Sequence, residues 1–163
     1  MIRLKPVTPD NWRERLEVRP EQETFVAPKV AILARAWAYR EMRSQAFLIY
    51  DGDTPVGIAM YHDYEDPEEG EFFYDFDQLL IDARYQGKGY GAEAVQKILA
   101  LMEADGKYDE VVLCYIEGNE AARRLYKKAG FVPTGDVEEH EVIMKSACAE
   151  KCEKGLPDGN PFF

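Results

Sequence analysis

Three cysteines in 163 residues are too few, and odd in number, for a disulfide framework. Cys148 and Cys152 stand four apart near the C-terminus and would share one face of a helix, but no second ligand pair lies near them. No metal site is expected there. Cys114 falls inside an apolar run and reads as a small buried hydrophobe. No apolar stretch approaches the roughly 18 residues a membrane-spanning helix needs. The first residues, Met1-Ile2-Arg3-Leu4-Lys5, carry no apolar signal-peptide core, so a cytoplasmic location is the expectation. Positive charge is also in deficit: 20 Lys and Arg stand against 31 Asp and Glu, for a net charge of −11 and a pI near 4.7. That argues against nucleic acid, whose phosphates favour basic surfaces, and is compatible with a small cationic partner. Neither an internal repeat nor a second domain is visible, and the length suits one domain with a sizeable core. The expected division is a domain over residues 1–145 and a Lys-, Glu-, Gly- and Pro-rich tail over 146–163.

What is present is a regular alternation of elements. Residues 2–6 read as a short strand, and Thr8 or Asp10 can cap a helix through about Leu16 with Pro9 in its first turn. An irregular stretch between Pro20 and Pro28 holds Glu21 and Glu23 beside Phe25, and precedes a helix over about 29–42. That helix is aromatic enough (Trp37, Tyr39) either to pack into the core or to wall a substrate. Residues 46–50 and 54–61 read as a hairpin around Asp51-Gly52-Asp53, 63–70 as a solvated acidic loop, and 71–81 as a strand. Residues 92–102 carry apolar side chains at helical spacing up to a stop at Gly106. A continuous apolar run at 111–116 reads as a buried strand after a crossover helix, which implies parallel pairing. Asn119 can cap a last helix that stops at Gly130, placing Asn119, Ala122, Arg123 and Tyr126 on one face. A final strand pair is expected at about 131–134 and 141–145.

The densest signal is Gln86-Gly87-Lys88-Gly89-Tyr90-Gly91, between the strand and the helix. Alternate glycines let a ligand approach the backbone, and a helix N-terminus offers unpaired N–H groups and partial positive charge. Together they suit a phosphate, with Arg84 and Lys88 as nearby cations. A tight turn without a ligand has the same spacing, so the glycines alone leave both readings open. The stretch is neither a P-loop nor the dinucleotide fingerprint.

Read as Gln-x-x-Gly-x-Gly, and followed about thirty residues later by Asn119, Tyr126 and Gly130-Phe131, the stretch resembles the GNAT N-acetyltransferase superfamily over roughly residues 2–145. The resemblance implies an α/β fold: a mixed, mostly antiparallel sheet with a splayed parallel pair and helices on both faces. It implies acetyl-CoA as co-substrate, its pyrophosphate on the main chain of Gln86, Gly87, Lys88, Gly89, Tyr90 and Gly91. It also implies a pantetheine arm on the main chain of Leu79, Leu80 and Ile81 and beside Asn119. Tyr126 matches the family's general acid, and an N–H such as that of Leu80 would serve an oxyanion. Asp75 matches the place of an acid on the strand before the loop, with Asp77 on the same strand face unless a bulge intervenes. Base and solvated carboxylate remain open alternatives for both.

The stretches 18–27 and 85–91 further resemble the branch of bacterial diamine and spermidine/spermine N-acetyltransferases. That implies a primary amine acceptor held by Glu21, Glu23, Asp75 and Asp77. The chain departs from the branch at Asp77-Gln78-Leu79, where members often carry a Trp-Arg-Phe-type segment. An amino acid, an aminoglycoside or a protein amine therefore stays open as acceptor, as does a silent acyl-CoA sensor. A small-molecule amine is the expected partner, and a homodimer is left open.

Overall fold

The computed structural model describes residues 1–147; Cys148, Cys152 and the rest of the tail lie outside the described residues. Seven strands form one sheet in the order β1-β2-β3-β4-β5-β7-β6. They are β1 (Ile2–Pro6), β2 (Gln45–Asp51), β3 (Thr54–Asp66), β4 (Glu71–Ile81), β5 (Glu110–Ile116), β6 (Val132–Glu138) and β7 (Glu141–Ala147). All neighbours pair antiparallel except β4 and β5, which are parallel as the intervening helix requires. The helices are α1 (Lys29–Ala38), α2 (Tyr90–Asp105) and α3 (Glu120–Lys128).

Strand alternation divides the core in two. Phe47, Ile49, Ala59, Tyr61, Tyr74 and Phe76 face α2 and α3, meeting Val95, Ile98, Met102 and Tyr126. Leu48, Tyr50, Ile58, Met60 and Leu80 face the other way, onto Ile32 of α1. Helices thus cover both faces. Leu33, Ala36 and Tyr39 join this second cluster, whereas Trp37 is 69% exposed and is not core.

The expected helix at 10–16 does not form. Asn11 and Trp12 donate to the Thr8 carbonyl in one turn, while the Asn11 side chain binds Thr8 N–H and Pro6 O. Such local side-chain bonds compete with helix propagation, and Lys29 Nζ takes the Trp12 and Glu14 carbonyls that a helix would use. Helix α1 stops at Ala38 and passes into a 3-10 turn at Arg40–Met42, short of a continuous helix to Met42. Strand β3 runs to Asp66, so Asp63–Asp66 is strand where a loop was expected. Strand β7 continues through Ser146 and Ala147, past the expected domain edge at 145.

Two irregularities of β4 open the sheet and orient its side chains. Its partnership with β3 shifts between His62↔Asp75 and Met60↔Gln78, so Phe76 and Asp77 together oppose Tyr61. This bulge lets Phe76 and Leu79 share the α2/α3 face, while Asp75, Asp77 and Leu80 lie on the α1 face. The second is on the other edge: β4 pairs with β5 only at Tyr74↔Val111 and Asp75↔Val112. Beyond Asp75 the two strands diverge and leave a gap through the sheet.

Asp82 closes β4 and is fully buried. It accepts from Glu17 N at 2.8 Å and from the main chain, Nε and Nη2 of Arg84 at 2.9 Å each. Burial opposes its charge, but these donors hold it below the ordinary carboxylate range. Asp82→Ala would leave the Glu17 N–H and the Arg84 donors without that acceptor. Urea unfolding at pH 7 is expected to give a loss of about 2–3 kcal/mol.

Candidate active site

The gap between β4 and β5 widens into a cleft of about 720 Å³. Its floor is the unpaired edge of β4 from Asp77 to Ile81 against Cys114, Tyr115 and Ile116 of β5. The pairing decides which β4 groups face the gap. Asp82 N donates to Val56 O at 2.9 Å, so residues 82 and 80 belong to the hydrogen-bonded pairs with β3. Leu80 N–H is therefore committed to β3, and its carbonyl lies against Gly57. Leu80 is corrected as an oxyanion donor. Leu79 and Ile81 present their main chain to the gap, and the Ile81 carbonyl accepts from Gln86 Nε2 at 3.0 Å.

One end of the cleft is built by the glycine turn. Gly87 and Gly89 hold φ of 77° and 85°, in the left-handed region, and a Cβ added at either would touch nothing within 4 Å. The glycines are required by conformation, and the space they leave is open. Gly89 is the N-cap of α2, so the first N–H groups of that 16-residue helix face the cleft mouth without intrahelical partners. Gly91 sits in the first turn against Leu125 and Ile81. Gln86 ties the turn to Gln22 Oε1 at 2.8 Å, and Phe25 lies over Gly118, so residues 22–28 roof the cleft from one side to the other. An unpaired strand edge running into a cradle of free N–H groups fits an extended acyl carrier ending in a pyrophosphate. Gly89→Ala would force a side chain into positive φ at about 1–2 kcal/mol. The expected result is a KM for acetyl-CoA raised about tenfold, with the thermal transition lowered by roughly 2–8 °C.

Of the expected cations, neither lines the cleft. Arg84 is held by Asp82, and Lys88 is exposed with its ammonium 5.4 Å from the Tyr85 ring centroid. Gln86, Gly87, Gly89, Tyr90 and Gly91 do line it, as does Asn119, whose side chain caps α3 by accepting from Ala122 N at 3.2 Å. Tyr90 is an edge residue, its hydroxyl donating to Asp51 at 2.5 Å.

The other end gathers acidic groups. Asp75 and Asp77 both line the cleft from the α1 face, with Glu23 from the roof and Glu141 from β7. Glu21 is exposed and outside the lining, which removes it from direct contact. Asp77 lies 2.5 Å from Arg35 Nε, and His62 Nε2 lies 3.3 Å from Asp77 and 3.6 Å from Asp75. Their electrostatics diverge. Burial pushes Asp75 up to about 6, opposed by His62 and reinforced by Asp77. Asp77 is buried too, but hydrogen bonds from Arg35 and Gln78, with the His62 ring close by, hold it below the usual range. One carboxylate is thus an available proton acceptor near neutrality and the other a fixed anion.

Tyr126 enters from the opposite face of the sheet. It is 9% exposed, with ring centroids 6.3 Å from Phe76 and 6.0 Å from Phe131. Burial raises its hydroxyl well above the ordinary phenol value, so it stays protonated. Cys114 is half-buried rather than core; its thiol donates to Glu141 at 3.3 Å and is pushed up to about 12, chiefly by burial. Among the described residues no cluster of His, Cys, Asp and Glu is arranged to hold a metal ion. No helix of the described residues is long and apolar enough to cross a membrane.

This geometry can be set beside known proteins. The acetyltransferase (GNAT) family matches residues 6–131. The chain belongs to that family. As a GNAT member it is an N-acetyltransferase with acetyl-CoA as co-substrate. The chain is 30% identical over 143 residues to the spermine/spermidine N(1)-acetyltransferase of Bacillus subtilis (strain 168), covering 84% of this chain and 91% of that relative. In fold it is similar to the spermidine N-acetyltransferase from Vibrio cholerae solved with CoA and spermine. There the TM-score is 0.67 at 15% identity, over 90% of this chain and 95% of the other. It is also similar to a GNAT acetyltransferase from Elizabethkingia anophelis with acetyl-CoA bound, at TM-score 0.65 and 12% identity, covering 90% and 97% of the two chains.

Reading the sequence missed His62, Arg35, Gln22 and Glu141 as groups around this GNAT cleft. His62 had a legible signal, since it continues the Ile58, Met60 alternation of a buried strand face.

Proposed function

We propose that the protein transfers the acetyl group of acetyl-CoA to a primary amine of a small polycation of the spermidine or spermine class. The observation that carries the reading is the gap opening at Asp75/Val112, because it brings Asp75 from one sheet face and Tyr126 from the other to a single cleft. Acetyl-CoA supplies a thioester carbonyl open to nucleophilic attack. Asp75 takes the proton that an ammonium must lose before it attacks. The Leu79 main-chain N–H, two residues from Asp77, is the donor placed for the developing oxyanion. Tyr126 returns a proton to the departing sulfur. Gln86, Gly87, Gly89, Tyr90 and Gly91 orient the pyrophosphate with Asn119 beside the arm.

Charge supports the polycation. The cleft lining includes four carboxylates, Glu23, Asp75, Asp77 and Glu141, against one cationic side chain, Arg35. Arg35 also answers the departure at Asp77-Gln78-Leu79, because α1 brings to this strand a positive charge that its own sequence lacks. Two ammonium groups can be shared among these carboxylates, whereas an acceptor bearing its own carboxylate would meet repulsion. The test is thiol release with acetyl-CoA and a panel of spermidine, spermine, diamines, monoamines and amino acids. Spermidine or spermine is expected to exceed monoamines at least tenfold in kcat/KM. Equal turnover of monoamines and amino acids would sink the polyamine assignment.

A further inference from the structure

His62 is a buried polar side chain to which the proposed reaction gives no role. It lies on the α1 face of β3, 1% exposed, opposite Asp75 in register and stacked on Tyr39 with ring centroids 4.3 Å apart. Its Nδ1 is 2.7 Å from the Asp63 carbonyl, which can only accept, so Nδ1 carries a hydrogen. In a neutral ring Nε2 would then be a bare acceptor, turned toward Asp77 Oδ2 at 3.3 Å and Asp75 Oδ2 at 3.6 Å. It makes no well-directed hydrogen bond and is shut off from solvent. A lone pair facing two carboxylates is repulsive; a second proton converts the same geometry into attraction.

We propose that His62 is a positioning residue: a buried imidazolium that holds the Asp75 and Asp77 carboxylates together and keeps Asp75 ionised as the acceptor-site base. This deepens the acetyl-transfer reading and rests on it. The groups that face the ring are Asp75 and Asp77 from β4, Arg35 and the Tyr39 ring from α1 and its C-terminal cap, and the Asp63 carbonyl from β3 itself. The Asp63 carboxylate is turned away to Lys107 at 2.6 Å and Arg43 at 3.4 Å. Glu141 and Cys114 lie beyond Asp75 on the cleft side. Around the ring, then, two anions are matched by His62 and Arg35. Without the charge on His62, Arg35 alone would face both carboxylates, and Asp75 would retain its proton to higher pH. Burial works against the charged ring, yet Asp77, the Asp63 carbonyl and Asp75 together raise its proton affinity above the ordinary value.

The chain has two histidines, so His140→Asn leaves His62 as the sole imidazole for NMR. Asn tolerates the positive φ of 75° at that turn. The expected result is a ring protonated on both nitrogens at pH 7, with a midpoint above the ordinary value of about 6.5. Adding Asp75→Asn or Asp77→Asn should lower that midpoint. A ring that is neutral at pH 7 with a midpoint at or below about 6.5 would overturn the proposal.

His62→Gln keeps a donor without the charge. The acidic limb of kcat/KM should then move up by about one pH unit, giving roughly fivefold loss at pH 6, about tenfold at pH 5, and recovery by pH 9. A pH-independent loss would mark a purely structural role and overturn the positioning one. If Asp75→Asn retained the limb, the base assignment would fall, while the NMR midpoint would still decide the state of His62.

Discussion

Asp75→Asn is expected to lower kcat/KM for the amine by about 100-fold or more at pH 7.5 and to abolish the acidic limb of the pH–rate profile. The size is that of removing a positioned general base. The pH dependence follows from the direction of the shift. Asp75 is pushed up to about 6, so above pH 6 it is a carboxylate able to accept the ammonium proton. As pH falls through 6 it fills with a proton and the rate drops about tenfold per unit. Asparagine cannot take that proton, so the variant should be slow and lose the inflection near pH 6, its residual rate following the free amine, which rises steadily through pH 8. Asp77→Asn makes the contrast. Its negative charge raises the proton affinity of Asp75, so removing it should shift the limb to lower pH, with a smaller rate loss. Stopped assays from pH 5 to 9 with acetyl-CoA saturating would separate the two. A limb near 6 that survives Asp75→Asn would assign the base elsewhere.

That assignment could not be made from sequence, and the reason is physical. Asp75 and Asp77 are equivalent in a strand of period two, and both stood as candidates. What separates them is Arg35, 42 residues away in sequence on α1, which reaches Asp77 and leaves Asp75 to burial. The bulge at Phe76 and Asp77 also has no marker such as glycine or proline, although it decides which face each later residue of β4 takes. The Leu80 assignment failed for a related reason: an N–H direction depends on which strand is the paired neighbour, which composition does not encode. By contrast the glycine turn, the Asn119 cap and the Gly106 stop were legible, because their function is local and requires particular residue types. The strand at residues 71–81 was legible to its ends for the same reason. His62 was hidden by reading Asp63 and its acidic neighbours as a loop, since a charge run on a strand end looks like one on a turn. In the strand, Asp63 and Glu65 are neutralised by Lys107 at 2.6 and 2.9 Å, a partner from beyond α2.

Tyr126→Phe is expected to lower kcat by about 10- to 100-fold, with KM for acetyl-CoA within twofold and unfolding stability within about 1 kcal/mol. The stability expectation follows from packing, because the ring keeps its edge contacts with Phe76 and Phe131 and only the hydroxyl is lost. The kinetic expectation needs a match between donor and acceptor. A free thiol ionises near 8.5, so a phenol raised above its ordinary value is at first sight too weak an acid to protonate a thiolate. The cleft itself resolves this. Cys114, in the same lining, is pushed up to about 12, chiefly because burial disfavours its thiolate. A sulfur leaving into that gap meets the same loss of solvation, and its proton affinity rises toward that of Tyr126. Proton transfer between them is then nearly level, the condition under which a general acid is most effective. Phenylalanine offers no proton, so the sulfur must depart as an unsolvated anion or wait for water from the cleft mouth. The solvent isotope effect on kcat should therefore change with the substitution. Unchanged kcat with an unchanged isotope effect would remove Tyr126 from the reaction and leave it a core aromatic.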